Sequence, residues 1–192
     1  MKNASQPLLA ACQIGELTLK NRVVLAPTTR DQNTPAGPAP TPALADYYAQ
    51  RASAGLLLTE PIWVSPQAIG VPAAPSLHTP AQVAAWQAVT AAVHAQGGVL
   101  FAQLGHAGAA SYPELLAGAL PVGPSAINPQ MRVLTPHGVQ DTLPPRALTL
   151  AEIKQFAAGR FVSLTDWPKI FYSASVCWNN PTATAQRTRQ FV

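Results

Sequence analysis

The stretch TPAQVAAWQAVTAAVHAQGGVLFAQL, from Thr79 to Leu104, decides the fold class. Thr79-Pro80-Ala81-Gln82 has capping-box spacing, with threonine as N-cap, proline at the first helical position and glutamine three residues on. Val83, Trp86, Val89, Thr90 and Val93 recur at helical spacing, which predicts a helix closed by Gly97-Gly98. Val99-Leu100-Phe101-Ala102-Gln103-Leu104 then forms a short, nearly continuous apolar run, the pattern of a strand buried on both faces.

Upstream, the same grammar repeats. Leu56-Leu57-Leu58-Thr59-Glu60 reads as another short buried strand. Before it, Thr41-Pro42 opens a helix with Leu44, Tyr47, Tyr48 and Arg51 on one face and Gly55 as its stop. Earlier still, Val23-Val24-Leu25-Ala26 is an apolar strand ended by Pro27, and Cys12–Ile14 with Leu17–Leu19 predicts a small β-hairpin around Gly15-Glu16. Residues 61–78, with prolines at 61, 66, 72 and 75, read as a loop, as does a long irregular stretch from Gly105 to Leu148. A further capping box, Thr149 to Glu152, starts a helix through about Ala158. Repeated strand–helix units of this kind specify an α/β protein, a parallel sheet with helices packed outside it. A complete (β/α)8 barrel needs eight such units and about 250 residues. The expected fold is therefore a partial barrel, an N-terminal β-hairpin plus about three βα units, followed by an irregular C-terminal tail.

Composition supports a globular protein. Of 192 residues, 48% are hydrophobic and only 10% charged, which excludes disorder through low hydrophobicity. No apolar run is long enough to span a bilayer. Leu9-Ala10-Ala11-Cys12 resembles a lipoprotein cleavage site but lacks the apolar core that a signal requires. Two cysteines, Cys12 and Cys177, are too few for a disulfide framework, so a reducing, cytoplasmic setting is expected. The net charge of +4 is uneven: residues 1–157 carry +1 and residues 158–192 carry +3, without a dense basic run that would indicate nucleic acid. Alanine falls from 32 in the first 158 positions to three in the last 34. Two segments are thus expected, 1–157 as the barrel portion and 158–192 as a foreign tail, read as out-of-frame or mis-joined coding sequence.

Seven blocks, in order, carry a family resemblance: Asn21–Arg30 (NRVVLAPTTR), Tyr47–Leu56, Leu77–Trp86, Val93–Gly98, Gln103–His106, Leu120–Ala126 and Pro145–Thr149. Together they resemble the N-terminal part of an Old Yellow Enzyme family flavin oxidoreductase. That resemblance implies a TIM barrel that holds FMN at the C-terminal ends of its strands. It also implies hydride transfer from NAD(P)H through FMN to the C=C bond of a small activated alkene such as an enone. Matched by position, Ala26, Pro27, Thr28 and Thr29 fall beside the flavin ring, and Thr29 would set its hydroxyl against the ring's carbonyl oxygen at C4. Pro61 falls just past the second strand near the ring, and Gln103 matches the amide that bonds the pyrimidine edge. Read alone, Thr29 is a turn residue and Gln103 a polar strand terminus; the flanking blocks give them these roles. His94 and His106 read as structural, and Glu60 as a hydrogen-bonded structural carboxylate.

The departures are specific. Gly105 stands where many members carry a pocket-lining tryptophan, which implies a more open site. Ala109-Ala110 replaces an arginine-containing continuation, and Pro61 lacks the N–H that most members offer there. The family's His-x-x-Asn or His-x-x-His pair, its proton-donating tyrosine and its phosphate-binding loops find no match in the sequence, nor does any metal-ligand cluster. The chain is accordingly expected to be an inactive fragment that retains FMN poorly, with the third strand's open edge prone to self-association. The competing expectations are a non-catalytic interaction module and one half of a split enzyme.

Overall fold

The computed structural model describes residues 6–30, 39–157 and 172–176. A short antiparallel hairpin, β1 (Cys12–Ile14) and β2 (Leu17–Leu19), precedes the main sheet, and Gly15 takes the left-handed turn position at φ +57°. The main sheet has four parallel strands in the order β3 (Val24–Leu25), β4 (Leu56–Trp63), β5 (Leu100–His106) and β10 (Tyr172–Val176). Helix α1 (Pro42–Ala49) connects β3 to β4, and α2 (Pro80–Ala95) connects β4 to β5.

The helix starts follow their caps. Thr41 Oγ1 accepts the N–H of Leu44, and Thr79 and Gln82 close a full capping box. Helix α3 (Leu150–Ala157) opens on the Thr149–Glu152 box, where the Thr149 N–H donates to Glu152 Oε2 at 2.8 Å. Bonds to Arg146 and to Thr149 hold the Glu152 carboxyl at a pKa of about 2.

The core lies between the sheet and the helices. Leu57, Ile62, Leu100 and Ala102 meet Leu44, Tyr48, Trp86, Val89 and Val93, all buried, and Leu25 packs against the same cluster. The Trp86 indole N–H donates to Ser76 O at 3.2 Å, which satisfies the polar end of that buried ring.

Five expectations are corrected. The strand at 23–26 is not buried on both faces, because Val24 is 47% exposed. The loop predicted from residue 61 begins later: β4 runs on through Pro61 to Trp63. The stretch from Gly105 to Leu148 is not irregular throughout. It contains the hairpin of β7 (Arg132–Thr135) and β8 (Gly138–Asp141), while β6 (Val122–Gly123) pairs with β9 (Arg146–Ala147). The tail is not wholly irregular, since Tyr172–Val176 is a strand, and for the same reason the β5 edge is not left open: Tyr172 pairs with Ala102 and Val176 with His106. The parallel ladder of a barrel continues on whichever edge is free, and this segment supplies the backbone for it. The rest of the predicted tail, 158–171 and 177–192, lies outside the described residues. No helix among the described residues is long and apolar enough to cross a membrane.

Gly55 was read as a helix stop, but α1 ends at Ala49 and the glycine serves a close approach. A Cβ there would lie 2.0 Å from Asn21 O, where the chain enters β3. Gly55→Ala is expected to cost about 3 kcal/mol through forced backbone displacement, seen as a lower urea midpoint with an unchanged slope.

Candidate functional site

The three segments singled out from sequence lie on adjacent parallel strands, one directly after β3 and the others within β4 and β5. Ala26, Pro27, Thr28 and Thr29 follow directly on β3 and are exposed, with the Thr28 N–H donating to Ala26 O at 2.9 Å. Pro61 and Gln103 are register partners on adjacent strands.

Pro61 sits inside β4 rather than past it. Proline cannot donate to a ladder and is rare in central strands. Here the register shifts between Leu58 and Pro61, so that Leu58 pairs with Phe101 and Pro61 with Gln103. Three steps on one strand against two on the other make a β-bulge. The ladder is interrupted where proline has no donor to offer. Thr59 repairs the break: its hydroxyl accepts the Gln103 N–H at 3.0 Å and donates to Glu60 O at 2.8 Å. Sequence reading had passed over Thr59 as one residue of an apolar strand.

The loop after β3 is tied to this bulge through Glu60. The carboxylate is buried, 2% exposed, and its Oε2 accepts the Arg30 N–H at 3.0 Å. The Glu60 N–H donates to the Tyr48 hydroxyl at 3.1 Å. Burial pushes the Tyr48 phenol well above its ordinary pKa, so it stays neutral. The Arg30 guanidinium stacks on the Tyr47 ring at 4.5 Å, and Arg51 stacks on the same ring at 3.7 Å. Glu60 and Arg30 thus fix where Thr28 and Thr29 stand.

Gln103 presents an unmet need. Its Oε1 is buried with no hydrogen-bond partner among the described residues. An acceptor in that state is costly unless a donor arrives from elsewhere.

Gly105 is packed against an aromatic ring. Trp63 is its register partner, and a Cβ on Gly105 would lie 3.2 Å from Trp63 Cζ3. A Cβ on Gly70 would lie 3.2 Å from the same indole's Cη2. The indole is therefore wedged between two glycines, only 7% exposed. The signal in the sequence was a tryptophan two positions beyond Pro61, and it was read as loop.

His106 ends β5, and its Nδ1 accepts the Gly108 N–H at 3.0 Å, which puts the ring proton on Nε2. Burial pushes its pKa down to about 4. His94 lies in the last turn of α2, where a cation is favoured.

The sequence model of the NADH:flavin oxidoreductase / NADH oxidase family matches residues 7–165. The chain belongs to that family. Within it, the chain is 40% identical over 154 residues to flavin oxidoreductase hxnT of Emericella nidulans, covering 78% of this chain and 39% of that protein. It is 42% identical over 154 residues to 12-oxophytodienoate reductase 7 of Oryza sativa subsp. japonica, again 78% of this chain and 39% of that one. Among solved structures, the Old Yellow Enzyme homologue from Zymomonas mobilis superposes with a TM-score of 0.74 at 40% identity, over 80% of this chain and 43% of that one. Morphinone reductase in complex with tetrahydroNAD superposes with a TM-score of 0.73 at 37% identity, over 80% and 44% of the respective chains. The chain spans about two fifths of the length of these relatives. Its sheet is accordingly part of a TIM barrel, not a closed one.

The half-buried His106 gives this family member a defined acid sensitivity. The unfolded ring, with its ordinary pKa of 6.5, takes up a proton that the folded ring refuses until about pH 4. Stability is therefore full above about pH 6.5 and falls as pH drops towards 4. His106→Gln should remove that part of the slope, read as the difference between wild-type and variant urea midpoints across this window.

Proposed function

We propose that the Ala26–Thr29 segment, Pro61 and Gln103 form the ring-facing part of an FMN site in an NAD(P)H-dependent ene-reductase acting on small activated alkenes. The observation that carries this reading is Gln103 Oε1, buried without a hydrogen-bond partner among the described residues, since the pyrimidine edge of a flavin offers the imide N–H that this acceptor lacks. Family membership supports it, as do relatives named 12-oxophytodienoate reductase and morphinone reductase. When bound, FMN supplies a two-electron relay between the nicotinamide and the alkene.

The chain's own residues bind and orient. Gln103 would hold the pyrimidine edge, and the Thr29 hydroxyl would donate to the ring carbonyl at C4. Glu60, through the Arg30 N–H, keeps that threonine in position. Pro61 contributes shape but no donor. His106, neutral at physiological pH, adds no charge at the rim.

Residues 1–157 carry this surface, in a cytoplasmic protein. The sequence contains no His-x-x-Asn pair and no phosphate loop, so the 192-residue chain alone does not turn over alkenes and holds flavin by its ring only. Riboflavin and FMN should therefore quench with affinities within about threefold of each other, and Gln103→Ala should weaken both about tenfold, one hydrogen bond's worth. FMN binding tenfold tighter than riboflavin, quenching indifferent to Gln103→Ala, or no quenching by either would refute this assignment.

A further inference from the structure

We infer that His137 and Glu114 form an acid-strengthened latch that holds the tip of the β7–β8 hairpin. Both residues lie in the connection that follows β5, and the inference does not depend on flavin binding. In (β/α)8 barrels the connections after the strands build the ligand-facing end, so a hairpin there is placed to matter.

The two ends of the hairpin are held by different chemistry. At the open end the Thr142 N–H donates to Met131 O at 2.8 Å, and the buried Thr142 hydroxyl accepts the Met131 N–H at 3.0 Å. That hydroxyl donates to Asn128 Oδ1 at 2.7 Å, and the Asn128 amide donates to Thr142 O at 2.7 Å. None of these groups titrates near neutral pH. The other end turns through Pro136-His137, with the His137 N–H on Thr135 Oγ1 at 3.2 Å. Val133 and Thr135 are buried, whereas the register partners Leu134 and Val139 are exposed. Beside this tip stands the single turn Pro113–Leu116, fixed by the buried Leu116 and by the Gly118 N–H on Pro113 O at 2.8 Å. From that turn Glu114 places its Oε1 2.6 Å from His137 Nδ1.

Histidine is the side chain whose charge changes between about pH 5 and 8. Once protonated, the ring donates a charge-assisted bond to the carboxylate, roughly twice as strong as a neutral one. Without that proton the attraction between charges is lost and at most a neutral hydrogen bond remains. Hydrogen bonds from the Thr135 and His137 side chains hold the Glu114 carboxyl below its ordinary pKa of 4.5. Glu114 is therefore still ionised where histidine gains its proton. Of the charged groups, His137 alone acts on Glu114, while Arg132 and Asp141 pair with each other at the opposite end of the hairpin. The latch is thus strongest in mild acid. It weakens as pH rises through the histidine range, and again once acid protonates Glu114. The His137 side chain is 77% exposed, so screening keeps the effect to a few-fold.

The test is amide hydrogen exchange of the full 192-residue chain at about pH 5.5 and about pH 8, with each rate divided by its intrinsic value. Protection of the tip, Thr135 to Val139, should be two- to threefold higher at the acid pH, while protection at Met131 and Thr142 stays level. His137→Gln and Glu114→Gln should each abolish the difference by lowering the acid value. His137→Lys, charged at both pH values, should abolish it by raising the value at pH 8. The His106 effect has the opposite sign, since it loosens the fold as pH falls, so it cannot produce this gain. Equal tip protection at both pH values in the wild type would overturn the inference. So would a difference that survives His137→Gln or Glu114→Gln, or a His137→Lys tip as loose at pH 8 as that of His137→Gln.

Discussion

One hydrogen bond organises the candidate site, the Gln103 N–H donated to the Thr59 hydroxyl at 3.0 Å. It bridges a bulge in an otherwise regular parallel ladder, where β4 carries one residue more than β5. Without a side-chain acceptor there, the interruption would leave a partly buried N–H unpaired, at a cost of about 1–3 kcal/mol. With it, the strand tolerates Pro61, and Pro61, Gln103, Trp63 and Gly105 all fall on the face turned away from the helices. The bulge thus resets the register of β4 so that Pro61 lies opposite Gln103.

From the bulge the constraint spreads in two directions. Towards β3, the buried Glu60 holds the Arg30 N–H and so fixes the Ala26–Thr29 segment beside the strand pair. Towards the far end, Trp63 slots between Gly70 and Gly105 and ties the segment after β4 to the end of β5. A side chain at Gly105 would crowd that indole, so the glycine at 105 and the tryptophan at 63 fit together as one packing unit.

Much of the fold was legible because it is locally encoded. Thr41, Thr79 and Thr149 announce helix starts through bonds made within three residues, and the structure has all three. Leu100–Ala102 needs only its apolar run to be read as a strand. The elements that escaped reading depend on partners far along the chain. The continuation of β4 through Pro61 exists because Thr59 bonds Gln103, forty-four residues away. The β7–β8 hairpin turns at Pro136-His137 with Gly138 at φ +107°, and it is short and half-exposed, which weakens its alternation. β10 lies in a segment whose composition gave no strand signal comparable to the first three, and only the free edge of β5 accounts for its position. The candidate site residues were proposed from family motifs, whereas the residues packed and bonded around them, Thr59, Arg30 and Trp63, act through tertiary contacts that no local pattern records.

The most direct measurement is amide hydrogen exchange at Gln103 in wild type and in Thr59→Val, which keeps the side chain's shape and removes its oxygen. The Thr59 bond predicts a protected Gln103 amide in the wild type and at least a tenfold loss of protection in the variant, with the Leu57–Leu100 part of the ladder unchanged. Equal protection of Gln103 in both proteins would show that the bulge stands without Thr59, and the account of how this rim is built would fail.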